Sequence, residues 1–328
     1  MNPYALIDLH LHLDGSLSLA SVRELAALSG VALDEDDRAL LSRLQVGPDC
    51  RDLNEYLEKF AFPCSLLQTP QTLTQAVANL RRELKEQGLL YAEIRFAPQL
   101  HTNEGLTQEQ VVEAAAAGLD GDGVKANLIL CCMRGAGSHE KNMETVRTAA
   151  KFLGQGVCAV DLAGAEALFP TADFEREFRL AKELGVPYTI HAGEADGPES
   201  IRKALEFGAS RIGHGVRCLE DEALVAELAE RKTPLELCPT SNVNTSIFRR
   251  VGEYPIARLL DAGICATINT DNMMVSGVSL SSEMDQMAEL LSDEQMERLA
   301  ENAVAAVFAD EETKNWLREQ LRKGGNAE

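Results

Sequence analysis

The sequence predicts an α/β fold, a (β/α)8 barrel, on three observations. About eight short apolar or β-branched runs occur along the 328 residues, helix-period segments separate them, and each run ends in an unusual polar cluster. In order the runs are ALIDLHLHLDG, LLYAEIRFAPQ, KANLILCCMRG, VCAVDLAGAE, PYTIHAGE, RIGHGV, TPLELCPTSN and ICATINTDN. Strand and helix in regular alternation require a parallel sheet.

The first run places His10 and His12 where leucines alternate. Residues two apart in a strand share a face, so both imidazoles point the same way, together with Asp8 and Asp14. Residues 18–75 follow as helical sequence longer than one crossover needs, which suggests a lid insertion. Within it NEYLEKFAFPCSLL carries Leu57, Phe60, Phe62 and Leu66 at mixed spacing. Helix faces packed on the barrel are expected there, in preference to a substrate-facing hydrophobic gate. LTQAVANLRRELKEQG has helical period, and Gly follows the last turn in KEQG, KELGV and LDAGI, the usual stop. In the third run the adjacent Cys131 and Cys132 fall on opposite faces and read as core. Residues 282–322 read as terminal helices before a frayed KGGNAE tail, and the whole chain, 1–328, as one barrel domain.

Composition excludes several functions. With 45% hydrophobic and 25% charged residues the chain is globular, and a net charge of −21 argues against nucleic acid and anionic membranes as partners. The N-terminus has no basic leader, and no uncharged stretch is long enough to span a bilayer, so a cytoplasmic protein is expected. Eight cysteines without a C-x-x-C pair point to reduced, buried thiols.

In a barrel of this kind the strand ends open on one face, where active sites are built. His10 and His12, His191 and Glu194 of HAGE, His214 of GHG, and Asp271 and Asn272 of NTDN are therefore expected to gather in space. Imidazole and carboxylate donors suit zinc, and His10, His12, His191 and Asp271 are the expected ligands, with room for a water whose pKa the metal lowers toward roughly 7. His214, between two glycines, is expected to orient or deprotonate that water, with a role as a further ligand the alternative. Glu194, three residues beyond His191, is expected to hold a proton in a closed pocket and act as general acid. The fourth run contains no lysine of the kind that bridges two metals, so one zinc per chain is expected. His101 and His139 fall in predicted loops without acidic or cysteine partners and are expected to have ordinary surface roles.

The order LHLHLDGS, AVDLAGAE, IHAGE, GHG, CPTSN and NTDN, spread over nearly the whole chain, resembles the adenosine deaminase family of the amidohydrolase superfamily. The resemblance implies a TIM barrel, one zinc, and hydrolytic removal of a purine 6-amino group as ammonia, the partner being a small purine nucleoside. It implies that Glu194 protonates N1 as C6 is attacked, that His214 assists the water, and that His12, Asp14 and Gly164 contact the nucleoside. Many members read NTDD where this chain has Asn272, whose amide donates to N7 at any pH. That departure leaves adenine or a 5′-modified adenosine such as 6-aminodeoxyfutalosine as alternative substrates. AMP fits less well, since the loops show no basic cluster. Another mononuclear hydrolase, or a barrel that only binds, are the rivals outside this class.

Overall fold

The computed structural model describes residues 6–33 and 35–324. Eight parallel strands run through it: β1 Leu6–His12, β2 Leu89–Phe96, β3 Lys125–Met133, β4 Val157–Ala163, β5 Thr189–Ala192, β6 Arg211–His214, β7 Leu235–Leu237 and β8 Ala266–Ile268. They pair in sequence order as two four-stranded sheets, β1 to β4 and β5 to β8. Single parallel bridges, Val160 to Tyr188 and Leu11 to Asp271, join the sheets at both seams. The second seam carries two backbone hydrogen bonds, His12 N to Asp271 O at 2.7 Å and Asp271 N to His10 O at 2.8 Å. The predicted α/β barrel order is thus present, its ladder interrupted at two places.

Both faces of the strands are buried, which is why they read as nearly continuous apolar runs. Outward residues such as Ile94, Leu130, Leu162 and Ile212 pack against the surrounding helices, while Ile7 and Leu9 meet Ala303, Val304 and Leu317 of the terminal helices. The inward positions are different. Asp8, His10, Glu93, Arg95, Asp161, Arg211 and Glu236 are all within 1% of complete burial, so polar side chains occupy a space that barrels usually fill with Val, Ile and Leu.

The crossover from β1 to β2 ends in the long helix Pro70–Glu86, whose Leu73, Ala76, Val77, Leu80 and Leu84 are buried at helical spacing. Thr69 and Thr72 form its capping box and Pro70 takes the first turn, where no amide partner is needed. The expected insertion limit at residue 75 therefore lies inside this helix; the additional helices, Leu19–Leu28, Asp37–Leu44, Leu53–Leu57 and Ala61–Leu66, precede it. Gly88, Gly185 and Gly263 have φ between 70° and 86°, the left-handed stop expected from their sequence context. Leu280–Ala288, Asp293–Ala306 and Glu311–Gly324 supply the terminal helices; the last residues of the tail lie outside the described range. Among the described residues no helix is long and apolar enough to cross a membrane.

Candidate active site

The carboxyl ends of β1, β5, β6 and β8 bring His10, His12, His191, His214 and Asp271 together. One donor atom each of His10, His191, His214 and Asp271 lies within 4.8 Å of the others. His12 joins them: its Nε2 is 3.3 Å from His191 Nε2 and 3.3 Å from Asp271 Oδ1, and Asp271 Oδ1 is 3.5 Å from His10 Nε2. Ligands at roughly 2.0–2.1 Å around a tetrahedral zinc sit roughly 3.3–3.4 Å apart, so these edges match a coordination shell. His10 Nε2 is buried with no hydrogen-bond partner, a lone pair aimed at the same point. The donor set fits a transition-metal dication.

Groups behind the imidazoles fix which nitrogen faces the centre. Glu236 Oε2 accepts from His10 Nδ1 at 2.8 Å, and Asp161 Oδ2 lies 2.9 Å from His191 Nδ1, which turns both Nε2 lone pairs inward. Arg95 ties these carboxylates together at 2.9 Å from each. At His214 the logic reverses. Tyr254 donates to Asn242 Oδ1 at 3.0 Å, so the Asn242 amide donates to His214 Nδ1 at 3.1 Å, and the imidazole proton sits on Nε2. Gly213 makes room for this crowding: a Cβ there would stand 3.1 Å from His10 Cε1. His214 and Asp271 both hold left-handed backbone, with φ 58° and 60°, a strain of about 1–3 kcal/mol each that clusters at functional positions. Ser241 Oγ donates to Asp271 Oδ2 at 2.6 Å.

Glu194 reaches the same cavity from the loop after β5. Its Oε2 is 3.6 Å from His214 Nε2, and its Oε1 is buried without a partner. Burial first, then the charges of Asp271 and Glu166, push its carboxyl well above the ordinary range. The loop is held by Glu166, which accepts from the amides of Gly193, Glu194, Ala195 and Asp196 at 2.7–3.1 Å. Burial keeps the imidazoles of His12, His191 and His214 neutral. Asp271 is held below the ordinary carboxylate range: burial opposes its charge, but the surrounding imidazoles, His10 first, outweigh it.

Asp14, Gly164 and Asn272 line the pocket beside these groups. Gly164 has φ +108°, reached readily only by glycine. A Cβ on Gly15 would stand 1.9 Å from Asn272 Oδ1, so the DG after β1 is what admits the Asn272 side chain. Asp8 shares the inward face of His10 as expected but lies deeper, accepting from Thr270 Oγ1 at 2.6 Å. Leu53, Tyr56, Leu57 and Phe60 line the pocket mouth, at helix spacings of three and four. The expectation of core packing holds for Leu66, which is fully buried, and Phe62 packs against that core, whereas Leu57 and Phe60 face the cavity.

Two histidines depart from expectation. His101 is completely buried, because the turn after β2 folds back under the helix Ala61–Leu66, beside Asp14 and Cys64. His139 has an acidic partner, with Nδ1 2.7 Å from Glu177 Oε1. Sequence reading also passed over Glu93, Arg95, Asp161, Glu236 and Glu166. The first four carry a usable signal, a charge in an otherwise apolar strand, with Glu93 and Arg95 sharing one strand. The cysteines are all free, and Cys131 and Cys132 are buried.

A model of the adenosine deaminase family matches residues 5–324. The chain is 49% identical to the adenosine deaminase of Haemophilus ducreyi over 96% of this chain and 94% of that one, and 38% identical to that of Enterococcus faecalis over 96% and 95%. Among solved structures it resembles an adenine deaminase from Arthrobacter aurescens (TM-score 0.87, 27% identity, 98% of both chains). It also resembles the Arabidopsis ADAL protein complexed with IMP (TM-score 0.86, 27% identity, 98% of this chain and 97% of that). A Burkholderia ambifaria amidohydrolase with bound Zn shares the fold at TM-score 0.85 and 19% identity, over 99% and 91% of the two chains.

Proposed function

The chain belongs to the adenosine deaminase family, and from that premise we propose that it converts adenosine and 2′-deoxyadenosine to the corresponding inosines, releasing ammonia, in cytoplasmic purine salvage. The observation that carries the reading is Glu194: a buried carboxyl with a free oxygen and a raised pKa, facing a cluster of convergent imidazole and carboxylate lone pairs.

His10, His12, His191 and Asp271 would hold one zinc ion. When bound, the ion supplies a nucleophile by lowering the pKa of water toward roughly 7. Attack at C6 breaks the aromaticity of the purine and drives electrons onto N1, which must be protonated as the new bond forms. Glu194 enters protonated and gives N1 that proton. His214, with its proton on Nε2, orients the water as a hydrogen-bond donor; that tautomer favours this role over metal ligation. The Asn272 amide donates to N7, and His12, Asp14 and Gly164 border the nucleoside. None of the described residues lining the pocket is Lys or Arg, and Asp14 would face a 5′-phosphate, which favours a nucleoside over a nucleotide.

Ammonia release from adenosine, 2′-deoxyadenosine, adenine, AMP and 5′-modified adenosines tests the reading. Adenosine should give the highest kcat/KM. A higher value for adenine or AMP, or no release from any of them, contradicts it.

A further inference from the structure

Beside the pocket, three residues the proposed reaction does not use for chemistry come together. Asp14 follows β1, Cys64 lies on the helix Ala61–Leu66, and His101 ends the turn Pro98–Leu100 after β2. One donor atom of each lies within 4.8 Å of the other two, and Cys64 Sγ donates to Asp14 Oδ2 at 3.2 Å. His101 is fully buried and neither of its ring nitrogens has a hydrogen-bond partner. Leaving a buried polar group unsatisfied is costly, and such a group calls for a reason. Burial, opposed only by the backbone at Leu67, lowers the His101 pKa to about 4, so the imidazole is neutral and carries a free lone pair.

We propose that Asp14, Cys64 and His101 form a second cation site, separate from the His–Asp cluster, that takes a thiophilic divalent ion of the zinc–cadmium class and thereby competes with substrate. Thiolate, imidazole and carboxylate together suit such ions, whereas magnesium and calcium prefer oxygen alone. On binding, the Cys64 S–H bond breaks, its proton passes to solvent and the sulfur lone pair binds the ion. Three protein ligands leave a fourth position for water, so the site is open and weaker than a closed structural one. Competition follows because Asp14 lines the substrate pocket; this part rests on the nucleoside contact proposed for Asp14.

The metal-loaded enzyme titrated with cadmium chloride provides the test, because the His–Asp cluster has no sulfur ligand and only a thiolate–cadmium bond gives the ultraviolet charge-transfer band. One saturable equivalent of that band is expected, lost in Cys64→Ser and requiring at least tenfold more cadmium in His101→Gln. At ten times the dissociation constant of cadmium, the apparent KM for adenosine should rise roughly tenfold by mass action, with kcat unchanged. Absence of the band overturns the site, as does a band that persists in Cys64→Ser, which would place the ion on another thiol such as Cys131. A band that depends on Cys64 and His101 while KM stays constant upholds the cation site and overturns the placing of Asp14 against the nucleoside.

Discussion

The barrel holds two buried polar regions that differ in how their charges close. In the interior Arg95 stands 2.9 Å from both Asp161 and Glu236, and Arg211 stands 2.6 Å from both Glu93 and Glu236. Arg211 further donates to Ala306 O at 2.8 Å, and Phe308 N donates to Glu93 at 2.6 Å, which ties the network to the terminal helices. At the mouth, His10 Nε2, Glu194 Oε1 and Asn272 Oδ1 are equally buried and have no partner. Desolvation penalises both regions, and in the first each charge faces an opposite one, although Arg95 Nε is left without a hydrogen-bond partner. Charges that pair with one another position the groups around them, whereas unpaired donor atoms that converge on a cavity await a ligand. The two are joined at His10 and His191, whose outer nitrogens belong to the network and whose inner ones belong to the mouth.

Substitution in each region should separate the two roles. The largest effect is expected at the mouth: Asp271→Asn should lose bound metal and deaminase activity together, measured by elemental analysis and ammonia release. Retained metal with lost turnover would remove Asp271 from the ligand set. In the interior, Glu236→Gln leaves two guanidinium groups short of a counter-charge, and denaturant unfolding of the metal-free protein should show a loss of about 3–5 kcal/mol. An unchanged midpoint would show that the network carries no stability.

Glu283 is an intermediate case, buried, accepting from Thr240 N at 3.2 Å and without a cation partner among the described residues. Burial, against hydrogen bonds from Thr240, raises its pKa to about 7 from 4.5. The folded state therefore keeps a proton that the unfolded chain releases near 4.5. This contribution is full below pH 4.5 and is lost as pH rises through 7. Relative to Glu283→Gln, the parent should lose about 3 kcal/mol of stability across that window. A pH-independent difference in unfolding midpoints would contradict it.

The smallest effect is expected at Asn272. Loss of its bond to N7 in Asn272→Ala should cost about 1–3 kcal/mol in kcat/KM, and 7-deazaadenosine should show a similar deficit with the parent enzyme. Equal processing of the two substrates would show that the contact is not made.

The mouth was legible in the sequence because imidazoles at strand ends break a strong apolar pattern, as in LHLHLDGS and IHAGE, and because all strand ends of such a barrel share one face. The interior network shows the same anomaly, one charge in VCAVDLA and TPLELC and two in YAEIRF, but a charge in a strand does not reveal its partner on another strand. Glu166 was beyond reach, since it acts from a loop on amides 27 or more residues away. His101 was misplaced for a related reason: its burial comes from the helix Ala61–Leu66 lying over the turn, a tertiary contact with no local trace.

The proton donor proposed at Glu194 is what would make this cluster a deaminase. Glu194→Gln keeps the shape of the side chain and a hydrogen-bond donor but has no acidic proton to transfer. Metal content, affinity for a nucleoside inhibitor and kcat should be measured on a single preparation of this variant. Metal and inhibitor binding close to the parent, with kcat lower by at least the ~10²–10⁴ typical of losing a general acid, is the predicted result. Normal metal content with turnover within about tenfold of the parent, a change of only ~1.4 kcal/mol, would show that N1 receives its proton from elsewhere.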